Sequence, residues 1–196
     1  MVSDPVLQWA LTVVFSATGL YAFLRIIVDR NRPLLIVGHA LHVLMSAGMV
    51  AMCWPWWSLI PTLPQIVLFF AGAAWFAALL LLQLLRRVRR VALGGHGPWH
   101  EAAHLVMMFA MVWMTVSVGG STAAGHANHG SALPLGASLM GIGITAALLV
   151  AAAVFLVEFI DCLRGRRTWL GHTGDVAAGA AMSLGMAAMC WPMIAG

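Results

Sequence analysis

Charge is what this sequence has least of. Six acidic and ten basic residues occur in 196, or 8% charged against 62% hydrophobic. A soluble domain of ordinary composition carries about 25% charged residues. With a mean hydropathy of +0.95, water is excluded as the solvent of this chain. Polar/apolar alternation is also missing. The apolar runs are continuous, which argues against strands, and an isolated span in lipid must satisfy its own backbone hydrogen bonds. Cysteine is sparse and odd in number. Cys53, Cys162 and Cys190 form no closely spaced pair, so no disulfide framework is indicated. There is no phosphate-cradling glycine loop, no nucleophile elbow and no Ser-His-Asp arrangement.

Six apolar segments are present, at roughly 6–27, 34–54, 65–85, 100–118, 135–161 and 173–193. Each is long enough to cross a hydrocarbon core of ~30 Å at about 1.5 Å per helical residue. All ten basic residues are arginine, and they fall in three groups: Arg25, Arg30 and Arg32; Arg86, Arg87, Arg89 and Arg90; and Arg164, Arg166 and Arg167. The groups follow the first, third and fifth segments. The positive-inside rule makes them cytoplasmic and places both termini outside the cell membrane. Trp54, Trp56, Trp57 and Trp191 then fall at the outer interface and Trp99 and Trp169 at the inner one. The formal charge of +4 describes arginines facing anionic lipid and not a nucleic-acid footprint, because no soluble basic face carries it. The first segment follows five residues with no basic n-region and no small-residue cleavage site, so it reads as a retained span.

Laying the second, fourth and sixth segments over one another exposes a repeat. His42, Met45, Met49, Met52 and Cys53 align with His104, Met107, Met111 and Met114, and with Met182, Met186, Met189 and Cys190. All three share M-x3-M-x2-M, and the first and third continue into Cys-Trp-Pro. Each copy is preceded by an arginine cluster and, before that, by an apolar segment. The expected fold is therefore all-α and membrane-integral: six transmembrane helices in one domain, as three hairpin repeats over 6–55, 65–118 and 135–193. The even spans run parallel and can gather about a pseudo-threefold axis, with the odd spans outside.

Offsets of 0, 4 and 7 lie on one helical stripe, and three residues further back the stripe reaches His42 or His104. Each even helix presents a sulfur ladder about 10 Å long. Thioethers are soft, uncharged ligands suited to copper(I), and a thiolate at Cys53 or Cys190 binds it more tightly. Methionine is also common filler between membrane helices, and a duplicated packing seam would look the same. Glycine and alanine at Ala47, Gly48, Ala110, Gly185 and Ala187 permit close helix approach under either reading. His39, His42, His100 and His104, with Glu101 and Asp175, gather at the inner turns, where ionisable groups are costly and point to function. Asp175 with Thr173 can equally cap the sixth helix.

Two other metal chemistries use the same residues. His100-Glu101-Ala102-Ala103-His104 matches H-E-x-x-H, in which two imidazoles bind zinc and the glutamate acts as general base of a metalloprotease; His39, His42 or Asp175 would be its third ligand. A single haem between His42 and His104 is the other. The segment Gly125-His126-Ala127-Asn128-His129-Gly130 in the outer loop can capture metal. Glu158 and Asp161 are placed to pair with Arg164, Arg166 or Arg167.

Through its H-x2-M-x3-M helices and Met-Cys-Trp-Pro ends, the whole chain resembles an actinobacterial family of small multi-pass proteins known only as a domain of unknown function. That resemblance implies no activity. More locally, M-x3-M on membrane helices is similar to the selectivity filter of Ctr-type copper importers, which implies stacked triads of Met45, Met49, Met107, Met111, Met182 and Met186. Those importers are trimers of three-span subunits with a Met-rich extracellular tail, and this chain has neither feature. The expected function is copper(I) handling in transport, delivery or sensing. The expected partners are membrane lipid and a metal-accepting protein; the alternative is a noncatalytic subunit of a membrane complex, and no nucleic acid is implied.

Overall fold

Proline and aspartate set the helix starts. The computed structural model describes residues 4–87, 97–123, 135–165 and 169–195, and long helices dominate it: α1 (Pro5–Val28), α2 (Pro33–Met52), α3 (Thr62–Leu84), α4 (Pro98–Ala123), α5 (Leu135–Arg164) and α6 (Gly174–Ala195). Pro5, Pro33 and Pro98 open their helices, where a missing N–H costs nothing. Asp4 caps α1 by accepting from the Val6 N–H at 2.8 Å. A 3₁₀ turn, Pro55–Leu59, follows α2, and a π-helical turn, Trp169–Thr173, leads into α6. Among the described residues there is no strand. Each helix lies within about five residues of an apolar segment read from the sequence. The histidines of the Gly125–Gly130 segment lie outside the described residues, as do Arg89, Arg90, Arg166 and Arg167.

Packing is closest within the hairpins α1/α2, α3/α4 and α5/α6, and α1 also packs on α6 and α5 on α4. The α3 helix reaches α2 through the Phe69 ring, which lies against Gly48, and through Gly72, which faces Leu41. Each odd helix is thus wedged between two even ones. The resulting surface is the reverse of a soluble protein's. Large apolar side chains such as Trp9, Phe23 and Ile27 on α1, Leu63 and Phe70 on α3, and Val150 and Val157 on α5 are exposed, whereas α2 exposes none of comparable size. Hydrocarbon is a solvent in which that exterior costs nothing.

Among the described residues, four helices, Pro5–Val28, Pro33–Met52, Thr62–Leu84 and Gly136–Arg164, are long and apolar enough to cross a membrane. The other two, α4 and α6, carry Glu101, His104, Asp175 and Ser183, and all four of these side chains are buried. Protein, more than lipid, is the surrounding medium of α4 and α6, so they need not be apolar on every face.

At the arginine end a buried network ties three helices. The Arg25 guanidinium lies 2.8 Å from Asp29 and 3.3 Å from Asp175 on α6. The Tyr21 hydroxyl donates to Asp175 Oδ1 at 2.9 Å or to the Gly171 carbonyl at 3.0 Å, and His39 Nε2 on α2 is 3.5 Å from Asp29. Asp175 therefore serves as an interhelical counter-ion rather than a simple cap. One further expectation changes. Trp57 is buried in the core instead of anchoring at the interface, while Trp54 packs edge-on against Trp9 at 5.2 Å. Glu158 meets His172 at 2.8 Å; of the arginines expected to pair with it, Arg166 and Arg167 lie outside the described residues.

Gly185 is required by a close approach: a Cβ there would lie 2.5 Å from the fully buried, rigid ring of Phe15. Gly185→Ala is expected to destabilise by about 1–3 kcal/mol, whereas Gly143→Ala, where nothing lies within 4 Å, is neutral to slightly stabilising. Thermal unfolding of the detergent-solubilised variants checks the pair. Arg25→Leu removes the guanidinium that bridges Asp29 and Asp175 and is expected to cost about 3–5 kcal/mol, read as a loss of thermal stability larger than that of the exposed-site change Arg32→Leu.

Candidate functional site

Eight of the eleven largest fully buried side chains are methionines, the others being Phe15, Phe155 and Leu148. All nine residues of the three M-x3-M-x2-M stripes lie in one contiguous core. Met45, Met49, Met107, Met111, Met182 and Met186 are fully inaccessible, and Met52, Met114 and Met189 are at most 8% exposed. The stripes meet at matching depths. On α2 and α4, the Met111 methyl lies against Gly48 and the His42 and His104 rings stack at 4.4 Å. On α2 and α6, the Ser46 hydroxyl lies 4.0 Å from the Met182 sulfur. On α4 and α6, the Ser183 hydroxyl lies 3.7 Å from the Met107 sulfur. Each contacting pair is within about one residue of the sequence alignment of the stripes, as parallel helices at one level require.

Ser46 and Ser183 were missed as neighbours of the sulfurs, although the register contains them: each directly follows the first methionine of its stripe. In α4 that place is taken by Met108, whose sulfur and methyl turn to Gly72 of α3 and away from the stripe. Tyr21, Arg25 and Asp29 were missed for a different reason. They sit on α1 or, for Asp29, at its C-terminal cap, outside any methionine stripe, and only folding brings them to Asp175.

Near one end of the core lie Cys53 and Cys190, both buried free thiols, as is Cys162 elsewhere. The aligned position in α4 is Thr115, whose hydroxyl donates to the Met111 carbonyl at 2.7 Å. The Cys53 carbonyl accepts from the Gln8 side-chain amide at 2.6 Å, tying the end of α2 to the start of α1.

At the opposite end is a cavity of about 40 Å³ lined by Tyr21, His39, His42, Phe76, His100, Glu101, His104 and Asp175 among others. That volume admits a few water molecules or a bare ion. Three imidazoles form a stack across it, since His104 is 4.4 Å from His42 and 4.5 Å from His100, with the Phe76 ring 5.0 Å away. His104 Nδ1 is 2.6 Å from the His100 carbonyl oxygen. A carbonyl only accepts, so the Nδ1 of His104 carries the proton and, in the neutral ring, Nε2 keeps its lone pair. His39, although beside the cavity, is turned toward Asp29.

The donors present can be tested against each expected group. Among the described residues no three His, Cys, Asp or Glu side chains are grouped so as to hold a metal ion, whereas a catalytic zinc takes three protein ligands. The H-E-x-x-H pair therefore lacks its third partner there. Rings of His42 and His104 stacked at 4.4 Å leave no slot for a porphyrin between them, and the cavity is far too small for one. The methionine stripes need no carboxylate or imidazole to complete them.

Comparison with known proteins gives kinship without an activity. The chain is 35% identical over 114 residues to the uncharacterized protein Rv0970 of Mycobacterium tuberculosis and, to the same extent, to the uncharacterized protein Mb0995 of Mycobacterium bovis. Those matches cover 58% of this chain, which spans about half the length of the curated relatives it matches. No solved structure matches it. The family model described as a domain of unknown function (DUF5134) matches residues 34–193, and the chain belongs to that family.

Proposed function

We propose that this protein is a copper(I)-handling protein of the cell membrane, with six spans and both termini outside. The single observation that carries the reading is the burial of nine methionines, three from each of α2, α4 and α6, in one core. A core made only to be filled can use leucine, whose rotamers are better defined. A run of thioethers at matching depths adds what leucine lacks, a set of soft, neutral donors for a soft monovalent cation. In this reading the layers are Met45, Met107 and Met182; Met49, Met111 and Met186; and Met52, Met114 and Met189. Cys53 and Cys190 stand at the outer entrance, and the ion steps inward toward His42 and His104. Weak ligands at several depths let an ion leave as well as enter, so movement is passive or ends in delivery to an acceptor protein.

The pseudo-threefold, six-span arrangement is part of the same proposal. It is supported by the enclosure of α4 and α6 within the bundle and by the arginines that follow α1, α3 and α5. Reporter fusions check it: fusions after Arg32, Arg90 and Arg167 are expected to report the cytoplasm, and fusions in the 55–61 and 124–134 connections the exterior. The reverse pattern would discard the orientation.

For copper, the comparison is between wild type and a Met49→Leu, Met111→Leu, Met186→Leu triple variant. Leucine for methionine nearly conserves volume and usually costs less than about 1.5 kcal/mol per site, so the fold is retained while the middle sulfur layer is removed. Wild type purified under reducing conditions is expected to bind at least one copper(I) per chain and the variant at least tenfold more weakly. Equal copper in both, by elemental analysis and competition with a chromophoric chelator, would end the proposal.

A further inference from the structure

The cavity at the arginine end holds a group that the thioether core does not use. Glu101, in the first turn of α4, is only 4% exposed and lines that cavity. Among the described residues, no hydrogen-bond donor or cation reaches its carboxyl. The wider surroundings are short of positive charge. Three carboxyl groups, Glu101, Asp29 and Asp175, lie in or behind the cavity wall, and Arg25, paired with the two aspartates, is the guanidinium among them. A buried carboxylate with no counter-charge is expensive, and an ion of opposite sign relieves the cost.

The cavity limits which ion that is. About 40 Å³ excludes organic cations. Calcium and magnesium require six or more oxygen ligands, far more than the carboxylates here supply. A zinc centre needs a convergent set of three protein ligands, which the described residues do not form. What remains is a bare cation of low coordination number that accepts imidazole nitrogen. Imidazole is such a donor, His104 lines the cavity with its Nδ1 on the His100 carbonyl, and the stripe of sulfurs begins with Met107, one turn further along α4.

We propose that this cavity is a second copper(I) subsite, in which the Glu101 carboxylate supplies the counter-charge that neutral thioethers cannot and the stacked imidazoles, His104 foremost, bind the ion. The inference rests on the thioether core binding copper(I) and extends it. The core selects for softness, while the cavity supplies the negative charge that holds a cation at the end of the ladder.

The test is anaerobic titration of the full-length protein in detergent with copper(I) against a chromophoric chelator, for wild type, Glu101→Gln and Glu101→Asp. Wild type is expected to take at least two equivalents. Glu101→Gln keeps the shape but loses the charge, and its second equivalent is expected to bind at least tenfold more weakly; Glu101→Asp keeps the charge and stays within about threefold of wild type. X-ray absorption at the copper edge of the wild type gives a measurement independent of how the variants fold. Nitrogen or oxygen neighbours are expected to appear on going from one equivalent to two. An unchanged second equivalent in Glu101→Gln, or a sulfur-only shell at both loadings, overturns this subsite and leaves the thioether core standing. A wild type that binds no copper overturns both.

Discussion

Close packing of the odd helices onto α2, α4 and α6 is the condition on which the other features depend. In lipid there is no hydrophobic gain from bringing apolar helices together, so packing itself must hold them. The small residues do this in a specific way. Gly48 receives the Met111 methyl and the Phe69 ring, Gly185 receives Phe15, and Gly179 receives Phe155. Three phenylalanines of the outer helices are thus keyed into glycines of the inner ones. With the odd helices keyed onto them, α2, α4 and α6 carry their methionine stripes into a common core. Methionine, with three rotatable bonds, is suited to fill the irregular gaps that remain.

The enclosed helices are consequently free to carry groups that lipid would not tolerate. Along the bundle these separate into two chemistries. The middle is sulfur with two serine hydroxyls beside it, uncharged and soft. The arginine end is ionisable, with the stacked imidazoles, Glu101 and the Arg25, Asp29 and Asp175 network around one small cavity. Buried ion pairs are weak contributors to net stability but costly to break. The Arg25 to Asp175 contact, between the first and last helices of the bundle, therefore makes that end of the fold sensitive to any change that separates them.

Much of this was legible in the residue order. Helix positions could be read because a span must be long, apolar and internally hydrogen-bonded, and those demands act on contiguous residues. The methionine stripes could be read because spacing of three and four residues fixes a helical face wherever the helix sits. Ser46 and Ser183 lay in the same register and only required one more position to be compared. Trp57 was misplaced because local composition says "interface", while the 3₁₀ turn after α2 aims its side chain in a direction that composition does not encode.

The sequence by itself determined the solvent of this protein, its helical segments and the faces on which sulfur lies, because hydropathy and helical periodicity are properties of neighbours along the chain. The tertiary structure alone decided that those faces meet, that His42, His104 and His100 stack over one cavity, and that Arg25 finds Asp175 across 150 positions. Those are relations between helices. They follow from which glycine accepts which ring, and no spacing within a single helix can express them.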